Sequence, residues 1–226
     1  MNQTNLQRIK NLIMIAIFSA IAYLVMVLIR ISIVPAAPFL KYDPKDVVIA
    51  IGGFLFGPLS ALLMSVIVAF IEMITVSTTG PIGLLMNILS SGALTCTAAI
   101  IYKYKRNIAG AVGGLILGVI MAADTMLLWN YLITPIYMST PREVIAKMLI
   151  PIFLPFNLLK GTLNIGIVLI VYKPLSKILQ KLNMMPQPNS NKISSEPRKI
   201  NIGILVLSCF VIITCVLIIL QMNNIN

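Results

Sequence analysis

The stretch Phe156–Asn164, with the sequence FNLLKGTLN, lies in the middle of an apolar segment that is long enough to cross a membrane, from about Met148 to Tyr172. Spacings of i, i+3, i+4 and i+7 place four of its residues on one helix face: Asn157, Lys160, Gly161 and Asn164. A lysine near the bilayer centre costs about 2.5–3.5 kcal/mol on insertion scales. Lys160 lies too centrally to reach an interface easily, as lysines at helix ends do. The face therefore predicts a buried polar site.

The composition predicts an all-α polytopic membrane protein. The chain has 226 residues, of which 59% are hydrophobic and only 10% are charged, whereas soluble domains carry about 25% charged residues. The net charge of +11 comes from basic residues in short segments between the apolar runs. That pattern is typical of the positive-inside rule for membrane proteins and does not indicate a nucleic-acid partner.

The residue types present argue against catalysis and against a metal site. The chain has no histidine, and its cysteines Cys96, Cys209 and Cys215 fall inside apolar segments without metal-ligand spacing. The only close acidic pair, Asp43 and Asp46, belongs to a proline-broken loop. A phosphate-binding glycine loop followed by Lys-Ser or Lys-Thr is also missing, so we do not expect an enzyme.

The first apolar segment, Leu12–Ile29, is longer than the core of a signal peptide and predicts a retained helix with a cytoplasmic N-terminus. Ala16 and Ala20, with Ser19 nearby, form a small-residue patch on it. The segment Val47–Ile71 is interrupted at Gly57-Pro58 and could form one kinked helix or two. Two crossings would bring the basic turn Lys103–Arg106 to the cytoplasm, and we therefore favour two, with a short first limb.

Counting the apolar segments, with two crossings in Val47–Ile71, predicts six membrane helices and an additional seventh helix. The predicted organisation is a six-helix substrate-binding membrane domain in residues 1–182, a polar linker in 183–199 and an extra transmembrane helix in 200–226. The i+4 stripe of Gly110, Gly114 and Gly118 predicts close helix packing, since small residues let helices approach in lipid.

Recognition of a small molecule remains as the favoured function class. Several polar side chains gather toward one half of the predicted bundle: Glu72, Thr79, Asn87, Asn130, Asn157, Lys160 and Asn164. Amides and a lysine suit a mostly neutral ligand rich in oxygen and nitrogen, such as a heterocycle or a polyol. The same amides could instead join helices together. Asn164, one turn deeper than Lys160, is the weaker member and could serve only in packing.

Two motifs resemble those of the riboflavin-binding S components of energy-coupling factor (ECF) transporters. One spans Pro38–Val47 and continues into Ile51–Pro58, and the other is Asn157-x-x-Lys160. The resemblance covers about residues 5–182 and implies a substrate-capturing subunit in the bacterial cell membrane. Its partners would be a transmembrane coupling protein (the T component), which docks on the small-residue face at Ala16 and Ala20, and two ATP-binding-cassette ATPases.

The resemblance also implies a ligand set, with riboflavin as the transported ligand and no cofactor. A loop that closes over the vitamin corresponds to Phe39, Leu40, Lys41, Tyr42 and Asp43. Further contacts correspond to Thr79, Gly83, Asn87, Asn130, Asn157 and Lys160. The alternatives are an S component for a different vitamin or a nucleobase-like substrate, or a membrane protein without a transport function.

Overall fold

The computed structural model describes residues 3–34, 37, 40–181 and 202–224. Five of its helical segments are long and apolar enough to span a membrane, which confirms the multi-pass architecture. The helices are α1 (Gln3–Leu28), α2 (Lys45–Phe56), α3 (Pro58–Thr75), α4 (Gly80–Tyr104), α5 (Ile108–Leu132), α6 (Thr134–Met138), α7 (Arg142–Met148), α8 (Leu154–Lys181) and α9 (Ile202–Asn224). A π-helical turn, Leu149–Phe153, joins α7 to α8, and two short strands, β1 (Ile31–Ser32) and β2 (Lys41–Tyr42), follow α1.

The break predicted at Gly57-Pro58 is confirmed. Gly57 has a φ of 97°, a conformation that glycine adopts without steric cost. Pro58 begins α3 at a position where its missing N–H is no loss. The preceding helix α2 has only 12 residues, and nearly all of them are buried. A helix this short, about 18 Å at 1.5 Å per residue, is thus sheltered by its neighbours.

The close packing predicted for the glycine stripe of α5 is also confirmed. A Cβ atom added at Gly118 would lie 2.4 Å from the backbone oxygen of Leu94, and one at Gly114 would lie 2.8 Å from the backbone oxygen of Ala98. Both oxygens belong to α4. The two helices therefore approach at distances that only glycine permits, and α4 holds its polar face in a fixed position.

The segment between α1 and α2 contains a hairpin that the sequence did not predict. Strands β1 and β2 pair antiparallel, with Ile31 opposite Tyr42 and Ser32 opposite Lys41. The described residues of the segment pack against α8 and α9 in one apolar cluster, which includes Ile33, Val34, Ala37, Leu40, Tyr42, Phe156, Leu159, Leu163, Val211, Ile212 and Cys215. We call residues 31–43 the lid. The described part of this apolar segment therefore packs onto the bundle.

The connection after α5 is largely helical. Helices α6 and α7 occupy most of residues 133–147. Pro151 has no N–H to donate, and the chain around it forms a π-helical turn in place of a regular α-helix. The helical path that carries Lys160 therefore begins at Arg142, earlier than expected.

Helix α9 lies against α8. A Cβ atom at Gly166 would come within 2.7 Å of Ile212, so the two helices are in close contact there. The predicted linker, residues 183–199, lies outside the described residues, and the proposed domain boundaries stay a prediction.

Candidate functional site

The site is built around a cluster of six charged side chains, three acidic and three basic, which we call the ionic cluster. Four of them are buried, and Arg30 and Lys160 are half-buried. Its members are Arg30, Asp43, Lys45, Asp46, Glu72 and Lys160. They come from the residues that follow α1, the lid, α2, α3 and α8. Because the formal charges balance, each charged group has an opposite charge nearby, which offsets the cost of removing it from water.

Lys45 lies at the centre of this cluster. It is the first residue of α2, only 1% exposed, and ranks first among the fully buried side chains by volume. Its Nζ donates to Glu72 Oε2 at 2.6 Å and to Asn87 Oδ1 at 3.1 Å. Arg30 approaches the other oxygen of the Glu72 carboxylate, Oε1, at 3.5 Å. Helices α2, α3 and α4 are thus joined at one point.

Lys160 of α8 faces the lid. Its Nζ donates to Asp43 Oδ2 at 3.3 Å and lies 3.9 Å from Asp46 Oδ2. Burial by itself would raise the pKa of the Asp43 carboxyl, but the ammonium groups of Lys160 and Lys45 outweigh that effect and hold the pKa below its ordinary value. Asp43 is therefore a carboxylate that fastens the lid to α8.

Neutral groups support the charged ones. The Ser91 hydroxyl donates to Asp46 Oδ1 at 2.5 Å. The Tyr42 hydroxyl donates to Asn164 Oδ1 at 3.1 Å, and burial raises the pKa of this phenol, so the proton stays in place. The lid thus contacts α8 at two successive helical turns, through Asp43 with Lys160 and through Tyr42 with Asn164.

Three buried polar atoms in this region have no hydrogen-bond partner among the described residues. They are Asn164 Nδ2, Asp43 Oδ1 and Arg30 Nε. A buried unpaired group costs about 1–3 kcal/mol, and native structures retain few of them. The described residues contain no group of three acidic, histidine or cysteine side chains suited to a metal ion. The arrangement instead suits an organic ligand with both donors and acceptors.

Four residues from the predicted ligand set belong to this region: Tyr42, Asp43, Asn87 and Lys160. Asn87 and Ser91 are four residues apart on α4 and therefore lie on one face of that helix. Gly83 also lies on α4 and is buried. A Cβ atom there would meet the Thr79 hydroxyl oxygen at 1.8 Å, so glycine at this position allows Thr79 to fold against its own helix.

Asn130 and Asn157 make their hydrogen bonds to groups four residues away along the chain. Asn130 donates to the backbone oxygen of Met126 and accepts from the Thr134 hydroxyl, at 2.7 and 2.8 Å. Asn157 donates to the backbone oxygen of Phe153 at 2.7 Å. Each retains further capacity, since an amide has two N–H groups and an oxygen with two lone pairs.

The remaining lid residues differ in exposure. Leu40 is half-buried and packs in the apolar cluster, whereas Lys41 is exposed on the opposite side of β2 from Tyr42. Strand geometry explains the difference because successive side chains point to opposite faces. Phe39 lies outside the described residues.

Four residues of the site were not predicted from the sequence: Arg30, Lys45, Asp46 and Ser91. Lys45 and Asp46 stand within the quoted motif, but the prolines around them led us to assign them to a loop. In the structure they form the first turn of α2 and are 1% exposed. One sequence signal could have predicted their burial: the two charged residues stand at the start of an apolar segment that is too short to span the membrane alone.

On the small-residue patch of α1, Ala16 and Ala20 are exposed, while Ser19 is buried and donates to the backbone oxygen of Ile15. Ser19 is thus not part of the exposed patch, contrary to its grouping with the alanines. Residues i and i+3 share a helix side only approximately, and the bundle covers the Ser19 side.

Comparison with known proteins identifies the family. Residues 10–172 match the family model described as "ECF transporter, substrate-specific component". The chain belongs to this family. A solved S component of a bacterial ECF transporter superposes with a TM-score of 0.64 at 27% identity, over 76% of this chain and 99% of that one.

Relatives of this S component carry related names. It is 27% identical to the riboflavin transporter RibU of Staphylococcus aureus over 79% of this chain and 96% of the relative. It is 29% identical to the riboflavin transporter RibU of Streptococcus thermophilus over 76% and 86%, and 25% identical to the riboflavin transporter FmnP of Bacillus subtilis over 74% and 94%. These alignments span most of the length of each relative.

Proposed function

We propose that this chain captures riboflavin from outside the cell, as the substrate-binding subunit of an ATP-driven ECF transporter. The observation that carries the proposal is the double contact of the lid with α8, where Asp43 meets Lys160 and Tyr42 meets Asn164. This contact brings the lid over a buried region that contains hydrogen-bond donors and acceptors. Membership in the S-component family and the names of the relatives support the same ligand.

The chemistry of the site suits riboflavin. The isoalloxazine ring has an imide edge, with carbonyl acceptors and an N–H donor, and an opposite apolar edge. Lys160 and the amides offer donors, Asp43 offers an acceptor, and Leu40 with the rest of the apolar cluster offers a hydrophobic wall. The ribityl tail, a chain of hydroxyl groups, would use the remaining amide groups, such as those of Asn130 and Asn157.

We propose binding alone for this site, with neither catalysis nor a resident cofactor. Its acidic groups Asp43, Asp46 and Glu72 each lie within 4 Å of a basic side chain, so none stands free as a general base. In the proposed cycle the loaded subunit reorients in the membrane when the ATPases drive the T component, and the site then faces the cytoplasm.

The proposed partners are the T component and two ATP-binding-cassette ATPases, in the bacterial cell membrane and with the N-terminus of this chain in the cytoplasm. The exposed positions of Ala16 and Ala20 on α1 support this docking face, since small exposed residues allow another helix to approach closely.

The absorption spectrum of the purified protein tests the ligand. We expect a bound yellow chromophore, or quenching of riboflavin fluorescence when the ligand-free protein is mixed with it. Colourless protein that leaves riboflavin fluorescence unchanged at micromolar concentrations would refute the proposal. Binding of another vitamin or of a nucleobase in a parallel panel would instead assign the subunit to that ligand.

A further inference from the structure

The side chain of Asn164 is almost completely enclosed yet only half satisfied. It is 1% exposed. Its Oδ1 accepts the hydrogen bond from the Tyr42 hydroxyl, while its Nδ2 has no partner among the described residues. Since nearly all buried polar groups in native proteins are paired, a lone amide edge of this kind points to a group that arrives from elsewhere.

A packing role does not account for this amide. An asparagine that joins helices makes its hydrogen bonds to a neighbouring helix, but the bond that Asn164 makes is to the lid. Because a tyrosine hydroxyl both donates and accepts, turning the amide over would exchange the free N–H groups for a free oxygen. In either orientation one polar edge stays unused.

The unused edge lies beside the site already described. Asn164 follows Lys160 by four residues on α8, so the two side chains are neighbours on one helix face. Tyr42 and Asp43, their respective partners, are adjacent in the lid. Asp43 Oδ1 is likewise buried without a hydrogen bond, and its cation Lys45 Nζ lies 3.8 Å away. A donor on Asn164 and an acceptor on Asp43, neither with a hydrogen bond, thus lie on the two sides of the contact between α8 and the lid.

We propose that Asn164 is a ligand-contacting residue, whose free amide edge binds the polar edge of a planar heterocycle that carries carbonyl or ring-nitrogen acceptors. Tyr42 is its positioning residue: the phenol holds the amide in the orientation that receives the ligand, and does so only when the lid is down. Recognition of the ligand and closure of the lid are therefore linked through one hydrogen bond. This inference rests on the proposed function and adds a residue to the site.

Titration with riboflavin tests the inference in the full chain. We expect Asn164→Leu, which keeps the volume and removes the amide, to weaken riboflavin binding about tenfold or more. The melting temperature of the ligand-free protein should change little, because the substitution removes the unpaired Nδ2 but also leaves the Tyr42 hydroxyl without its acceptor. Thr162→Val is the matched control: Thr162 lies on the same helix, borders the crevice toward α9, and should leave binding unaltered.

A double-mutant cycle separates the roles of the two residues. Tyr42→Phe should weaken binding less than Asn164→Leu, and the double variant should bind no more weakly than Asn164→Leu alone, since the phenol acts through the amide. Additive losses would overturn the positioning role of Tyr42. Equal riboflavin affinity of Asn164→Leu and the wild-type protein would overturn the inference while the proposed function stands. If wild-type protein does not bind riboflavin, the proposed function fails, and the inference falls with it.

Discussion

Lys45 and Glu72 form an ion pair of 2.6 Å between the first turn of α2 and the end of α3, with side-chain exposures of only 2% and 5%. Helix α2 is too short to anchor itself across a bilayer, so this pair and its surroundings fix where the helix begins. Because Lys45 also approaches Asp43 of the lid at 3.8 Å, the same ammonium group connects the bundle to the cover of the site.

Loss of the Lys45 charge should destabilise the protein severely. We expect Lys45→Met to lower the free energy of unfolding by about 3–5 kcal/mol, because it leaves buried carboxylates without their cation. In detergent this corresponds to a fall in melting temperature on the order of 10 °C.

One control variant and one double variant test whether this loss comes from the ion pair. Lys10→Met, which removes an exposed lysine from α1, should leave the melting temperature unchanged. The double variant Lys45→Met, Glu72→Gln should cost less than the sum of its single substitutions, since both halves of the pair are then neutral. Strict additivity would contradict a direct interaction between Lys45 and Glu72.

Features set by neighbouring residues could be predicted from the sequence. The break at Gly57-Pro58 follows from the backbone preferences of two adjacent residues, and the contact of Gly118 with α4 follows from a spacing within one helix. The polar face with Lys160 is likewise a local pattern. Each of these signals lies within about two helical turns of sequence.

Features that depend on residues distant in sequence could not be predicted. Asp43 and Lys160 are 117 positions apart, and Lys45 and Glu72 are 27 apart, so no local spacing reveals their contact. The lid hairpin has strands of two residues each, too short for an alternating pattern. The prolines around Lys45 and Asp46 predicted an irregular connection, and only contacts with distant helices bury these two charges in the ionic cluster.

Release of the ligand should depend on Asp43. We expect Asp43→Asn to raise the rate of riboflavin dissociation about 10- to 100-fold, since a hydrogen bond to a charged group contributes about 1.5–3 kcal/mol and this one holds the lid on α8. Stopped-flow fluorescence measures the rate. Asp124→Asn, at an exposed acidic position of α5, is the matched control and should behave as the wild-type protein. An unchanged dissociation rate in Asp43→Asn would mean that the lid does not limit release.

Binding should be insensitive to pH near neutrality. Because the pKa of Asp43 is lowered in the folded protein, its ion pair with Lys160 is fully present above the ordinary value of about 3.9 and is lost only as pH falls through the lowered value. The chain has no histidine, the side chain that ordinarily titrates between pH 5 and 8. We therefore expect riboflavin affinity to change less than about twofold over that range. Titrations at several pH values check this, and a steep loss toward pH 5 would contradict an ionised Asp43.

The contact between α4 and α5 at Gly118 should leave no room for even a methyl group. In Gly118→Ala the new Cβ atom would lie 2.4 Å from the Leu94 backbone oxygen, and overpacking of this kind costs about 1–3 kcal/mol. Gly113→Ala is the matched control on the same helix, because no atom lies within 4 Å of the added Cβ. Since alanine is the better helix former, Gly113→Ala should be neutral or slightly stabilising. Thermal unfolding of both variants in detergent decides the matter, and equal melting temperatures would contradict the close approach.

Docking on the T component should depend on the exposed alanines of α1. We expect Ala16→Trp to bind riboflavin normally but to fail to co-purify with the T component and the ATPases, because the bulky side chain prevents close approach at Ala16 and Ala20. Leu59→Trp adds bulk at an exposed position of α3 and should leave assembly intact, which makes it the control. If Ala16→Trp lost riboflavin binding together with assembly, the patch would have to pack inside the bundle. That result would contradict the exposure of Ala16 and Ala20 on α1. If assembly survived, the T component would have to dock elsewhere.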